Sequence, residues 1–157
     1  MPLIFVRFQH LSVRLFLFLS LNTFGQKIYR DNSVMTSDII ANVKNNCLYE
    51  GNSVMSSDII LRFDGMYIYT GKSHMVTDIV ATWKNNKLYR GCSTMEKDLI
   101  GFYKDNKFYI GNIPLTSNIV YRYIDNKVYA GNSYMTSDIV IRTSSKIHPA
   151  IMAFILF

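Results

Sequence analysis

Residues 29–40 read YRDNSVMTSDII and residues 49–60 read YEGNSVMSSDII, and this 20-residue register runs without a gap from Lys27 to Arg142. One column holds Tyr29, Tyr49, Tyr69, Tyr89, Tyr109 and Tyr129. Others hold Gly51, Gly71, Gly91, Gly111 and Gly131 with Asp31, Ser33, Ser53, Ser73, Ser93 and Ser133 with Ile113, and Met35, Met55, Met75, Met95 and Met135 with Leu115. Asp38, Asp58, Asp78, Asp98 and Asp138 form a further column, with Asn118 in the fifth unit. A register kept through six units marks a repeat protein, in which each unit is a supersecondary element that buries its apolar surface only against its neighbours.

Twenty residues cannot hold the helix pairs of tetratricopeptide or ankyrin units. The segments between turn signals are instead rich in β-branched and aromatic residues, as strands are. The 49 % apolar share against 18 % charged residues excludes a disordered chain. Asn45-Asn46, Asn85-Asn86, Asp105-Asn106 and Asp125-Asn126 tolerate the positive φ of tight hairpin turns. Asp64-Gly65 sits one position early and predicts a loop shifted by one residue. Gly51-Asn52-Ser53 and its counterparts supply a second turn. The expected fold is all-β: six tandem 20-residue β-hairpin repeats, in an open stack or solenoid or in a closed flower-like ring. A two-residue turn at Asn85-Asn86 places Trp83 opposite Leu88 and Thr82 opposite Tyr89, so that apolar residues occupy both faces of the sheet.

The ends differ from the repeats. Arg7 and Arg14, the short apolar run Leu15–Leu21 and the small residue Gly25 have the order of an export signal, and the run is too short for a membrane anchor. Residues 1–25 are therefore expected to be a signal peptide, 26–145 the repeat domain and 146–157 an apolar tail that packs on the array as a cap. Losing residues 1–25 lowers the formal charge of +6 by two, a weak balance for nucleic acid. No long apolar run remains to span a bilayer as a helix. Localisation is expected to be secreted, periplasmic or in the cell envelope.

Each recurring residue has a structural and a functional reading. The Tyr rings suit packing between hairpins, or a surface for sugar rings or peptides. The Met column suits a core ladder better than a copper site, because Leu115 brings no ligand atom. Ser, Thr and Asp near positions 136–138 suit side chain–backbone turn bonds better than a Ca²⁺ loop, whose spacing is missing. No catalytic residue, metal ligand set or cofactor motif is found: His74 and His148 belong to no nucleophile constellation, and no phosphate loop or paired Cys spacing occurs. Cys47 and Cys92 stand at different phases of the repeat and are expected to be free in an open stack. Binding is expected where units differ, at the slot of His74, Pro114 and Tyr134 and at Arg62, Arg122 and Arg142, with the Tyr column as the uniform candidate.

The unit Asn-Lys-x-Tyr-x-Gly-Asn-Ser-x-Met-Thr-Ser-Asp-Ile-Val, clearest at residues 86–91 and 131–140, resembles the four-fold beta-flower family of short exported bacterial repeat proteins over about residues 27–142. That resemblance implies a compact all-β arrangement of hairpins, with closure around an axis as the alternative to an open stack, and it carries no activity. The six units here depart from a four-unit ring. Choline-binding cell-wall repeats also look similar, but they use paired Trp and Tyr, and this chain has only Trp83. The functional expectation is a non-catalytic exported interaction module for envelope glycan or a protein partner. The alternatives are a self-associating structural β protein, forming homo-oligomers, and, with least support, a hydrolase.

Overall fold

A computed structural model describes residues 25–157, and the expected signal peptide lies, except for Gly25, outside the described residues. The strands are β1 Gln26–Arg30, β2 Ile39–Lys44, β3 Cys47–Glu50, β4 Ile59–Phe63, β5 Tyr67–Thr70 and β6 Ile79–Lys84. They continue as β7 Lys87–Arg90, β8 Leu99–Lys104, β9 Lys107–Ile110, β10 Ile119–Ile124, β11 Lys127–Ala130 and β12 Ile139–Thr143, followed by one α-helix, α1, Pro149–Leu156. All neighbours are antiparallel and the sheet closes on itself through β1 and β12. The closed ring is thus the realised alternative, and it leaves no sheet edge.

Five hairpins are continuous in sequence: β2–β3, β4–β5, β6–β7, β8–β9 and β10–β11. The sixth is assembled from the two ends of the repeat region, with Tyr29 of β1 opposite Arg142 of β12 as Tyr89 is opposite Thr82. Asn45, Asn46, Asn85, Asn86, Asp105, Asn106, Asp125 and Asn126 all have positive φ between 50° and 60°, the geometry of type I′ turns, whose twist matches that of the strands. Trp83 faces Leu88 as the two-residue turn requires. The second unit corrects its expectation. Phe63 pairs with Ile68 in the same register as Trp83 with Leu88, so the turn is not shifted. There Gly65, at φ 106°, takes the first central position, while the Asp64 carboxylate accepts from the backbone N–H groups of Met66 and Tyr67.

A twelve-strand ring is wider than the eight-strand barrel whose interior side chains alone can fill. Here inward-facing residues, among them Ile28, Leu48, Ile68, Leu88, Phe108 and Val128, form one cluster with Ile147, Ala150, Ile151, Met152 and Ala153 of the C-terminal segment. The helix lies inside the ring. It is apolar all round, as a helix enclosed on every side must be. Burying Ile151 or Met152, both essentially without solvent contact, stabilises by about 2 kcal/mol each.

The segment enters from the end that carries the tight turns. There Ile147 N–H donates to the Tyr123 hydroxyl at 2.8 Å, and His148 caps the helix by accepting from Ala150 N–H at Nδ1, 3.1 Å away. Pro149, which has no N–H to satisfy, takes the first turn. The imidazole packs against Phe63 (5.0 Å between centroids) and Trp83 (6.4 Å), and burial pulls its pKa below the ordinary histidine value. At the far end the Phe157 ring lies on Gly101, where a Cβ would come within 2.6 Å of that ring and 2.4 Å of the Tyr109 carbonyl oxygen.

Candidate functional site

Outside the ring, each short strand ends in a turn whose first central residue, Gly51 or its counterpart, has positive φ, Asp31 serving in the first unit. A β-bulge accompanies each turn: Leu48 faces Leu61, but Tyr49 faces Ile59, leaving Ile60 unpaired. The following loop bends back against the outer wall as a petal. Its internal geometry is set by one side-chain staple, in which the Ser33 hydroxyl donates to Asp38 Oδ2 (2.5 Å) and accepts from Met35 N–H (3.1 Å). Ser53–Asp58, Ser73–Asp78, Ser93–Asp98 and Ser133–Asp138 repeat it. In the fifth unit both partners change together. Ile113 and Asn118 replace them, and Asn118 Nδ2 donates instead to the Ile113 carbonyl at 3.1 Å. The Ser–Asp pattern therefore works as turn chemistry. Hydrogen bonds from Ser53, then from Ser57, hold Asp58 below the usual carboxylate range.

The wall beneath each petal carries the candidate residues read from sequence. Tyr49, Tyr69, Tyr89 and Tyr109 are buried, Tyr29 and Tyr129 half-buried, and each lies opposite the variable wall residue: Asn42, Arg62, Thr82, Phe102, Arg122 or Arg142. Phe102 stacks flat on Tyr109 at 4.8 Å. Five of the six variable wall residues also hold a petal, four of them nine to twelve positions further on and Arg142 across the closure of the ring. Asn42 Nδ2 donates to the Ser53 carbonyl (3.4 Å) and Thr82 Oγ1 to the Gly91 carbonyl (2.7 Å).

The three arginines do the same with charge. Arg62 donates to His74 Nδ1 at 2.5 Å and lies 5.8 Å from the Tyr69 ring. Arg122 donates to Asn132 Oδ1 and sits 3.4 Å from the centre of the Tyr134 ring. Arg142 donates to Asn32 Oδ1 at 3.3 Å. Wall and slot residues that are far apart in the repeat thus meet pairwise in single petals. Beside Arg62, the Tyr69 hydroxyl donates to Asp64 Oδ2 (2.9 Å), which raises the phenol pKa. Burial pushes the Asp64 carboxyl up, but the N–H groups of Tyr67 and Met66, the Tyr69 hydroxyl and Arg62 together bring it below its ordinary value.

The Met column overturns its expected core role. Met35, Met55, Met75, Met95, Leu115 and Met135 are 53 % to 70 % exposed, and Val34, Val54, Val76 and Ile113 beside them are exposed as well. The reason lies in the petal: in all six loops the carbonyl of this residue accepts from the N–H three positions on, as Met55 from Asp58 and Leu115 from Asn118, so the side chain stands on the crest of the loop. Core packing belongs to the strands and α1 instead. Cys47 is buried and Cys92 exposed, and both are free. Burial pushes the Cys47 thiol pKa up. Among the described residues no cluster of His, Cys, Asp and Glu has the makings of a metal site.

A family model described as a 6-fold beta flower protein matches residues 28–155. No curated protein and no solved structure matches the chain. The matched span takes in the ring from β1 and reaches into α1, and the six-fold symmetry corrects the four-fold resemblance while keeping the general family. The chain belongs to the 6-fold beta flower family.

Proposed function

We propose that this beta-flower protein is a non-catalytic interaction module, exported from the cell, that engages a protein partner through the crests of its petals. The observation that carries this reading is the exposed apolar column at residues 35, 55, 75, 95, 115 and 135, six times repeated around one ring. Monomeric proteins rarely repeat exposed large apolar side chains at equivalent points, and Met in particular suits adaptable protein contacts. Methionine and valine crests offer little to a sugar ring, which favours a protein over envelope glycan. Export rests on the order of Arg7, Arg14, the apolar run Leu15–Leu21 and Gly25. No helix among the described residues is long and apolar enough to cross a membrane, and strands of four to six residues are shorter than the nine to eleven of a spanning barrel strand.

Self-association is the second reading, favoured by the same column, since another ring of this chain has the matching arrangement of crests. The experiment compares the protein with a variant carrying Gln at positions 35, 55, 75, 95 and 135. Capture of a defined envelope protein that is lost in the folded variant supports the proposal. A concentration-dependent mass by light scattering that collapses to the monomer in the variant supports self-association. Equal behaviour of both proteins in both assays would remove the apolar column from either role.

A further inference from the structure

The three arginine petals are not equivalent. Arg62 has the Asp64 carboxylate nearby and His74 as an acceptor. Arg142 is half-buried and bonds Asn32. Arg122 is 3 % exposed, its Nε and one terminal nitrogen (Nη1) are buried with no partner, and among the described residues it has no carboxylate on it. Its remaining contacts are the amide oxygen of Asn132 and the face of Tyr134. A cation held this far from water with idle donors is costly unless something answers its charge, and among the described residues no group of opposite charge does, only the Asn132 amide oxygen and the Tyr134 ring face.

One face of the guanidinium is covered by a side chain of the loop. Tyr134 stacks on it, yet the Tyr134 residue as a whole is 70 % exposed, so a rotation about its own side-chain bonds opens the site without disturbing the staple between Ser133 and Asp138. The other petals have Val34, Val54, His74, Thr94 and Pro114 at this slot, and none of those pairs a buried arginine with an aromatic cover. We propose that the Arg122 petal is an anion-binding site, taking an oxyanion group, carboxylate or phosphate, onto the guanidinium with Tyr134 as its movable cover. The inference rests on the ring fold and not on the apolar crests, so it stands or falls separately from the proposed partner contact.

The test follows the side-chain Nε–H NMR signals of arginine in the whole protein while inorganic phosphate, and separately acetate, are added at constant ionic strength. The Arg122 signal is expected to shift along a saturating curve, while those of Arg62 and Arg142 move little, and the probe with the lower midpoint distinguishes phosphate from carboxylate. Tyr134→Ala, which removes the cover, should lower that midpoint several-fold. Arg122→Gln should fold, melt higher than the parent in anion-free buffer because the unanswered charge is gone, and lose the anion-dependent rise in Tm. An Arg122 signal that moves only linearly, or no more than Arg142, would overturn the site. So would an Arg122→Gln variant that melts well below the parent with its response to phosphate intact.

Discussion

Inside the ring, equivalent wall positions differ from unit to unit; on the petals the Ser, Met and Asp columns hardly change. The inner position after the bulge reads Ala41, Leu61, Ala81, Gly101, Tyr121 and Ile141, and the one nearest the turns reads Val43, Phe63, Trp83, Tyr103, Tyr123 and Thr143. The inner wall meets α1, a single helix with no six-fold symmetry, so six identical linings would leave its rotation undefined. Gly101 under Phe157, Tyr123 on Ile147 N–H, and the Phe63–Trp83 pair around His148 break that degeneracy. The outer loops solve the same local problem six times, five of them with the same Ser–Asp staple. Repetition encodes the ring, and departure from repetition on the inside encodes what fills it.

The largest effect that would break this contrast comes from the plug. Ile151→Ala, which leaves a void inside the ring, should lower the unfolding free energy by about 3 kcal/mol in urea titration. Gly101→Ala should cost about 2 kcal/mol, because the added carbon meets the Tyr109 carbonyl and the Phe157 ring. Glycine at the other ring positions has no such contact within 3.4 Å, apart from Gly25 beside Asn42.

A smaller loss is expected from one staple. Ser73→Ala should cost about 1 kcal/mol and leave the Asp78 carboxylate without its 2.5 Å donor, whereas the same change at Ile113, where the fifth unit has no staple, should leave the loop's bonding unaltered. Replacing Met75 by Gln on an exposed crest should change stability by less than about 0.5 kcal/mol in the same titration.

Acid sharpens the comparison between plug and petals. Because the folded pKa of His148 lies below its unfolded value of about 6.5, the unfolded chain takes up the proton first. Stability from the neutral, capping imidazole is complete above the unfolded pKa and falls as the pH drops below it, until the folded pKa is passed. The urea midpoint should therefore fall between pH 7.5 and pH 5.5. His148→Asn, which keeps a capping acceptor and cannot titrate in this range, should flatten that dependence.

Much of the ring was legible in the sequence. Period, hairpin and the Trp83–Leu88 pairing follow from turn residues that demand positive φ and from a side-chain period of two. Closure was not, because a 20-residue unit fixes its own hairpin but not the angle to the next, and the pairing that decides it joins residues more than a hundred positions apart, Tyr29 and Arg142. The Met column was misread because an apolar residue at every period resembles a core ladder. Its exposure goes with the loop turn shared by all six petals, in which the crest carbonyl accepts from the N–H three residues on, at Leu115 as at the five methionines. The joint change to Ile113 and Asn118 was the available signal that the Ser and Asp columns bond each other. The pairing of Arg122 with Tyr134 was half legible: both positions stood out as variable, but only the petal's backward bend brings them together.

The central claim, that α1 is enclosed by the ring, is tested most directly by amide hydrogen exchange at residues 152–157 against strands β7 and β8, which flank the helix. Met152 N–H bonds to the His148 carbonyl and Phe157 N–H to that of Ala153, so these amides report the helix itself. Enclosure predicts that they exchange as slowly as the strand amides and are released with them in urea. Exchange orders of magnitude faster than in β7 and β8 would contradict it, and would place the helix outside a ring that stands without it.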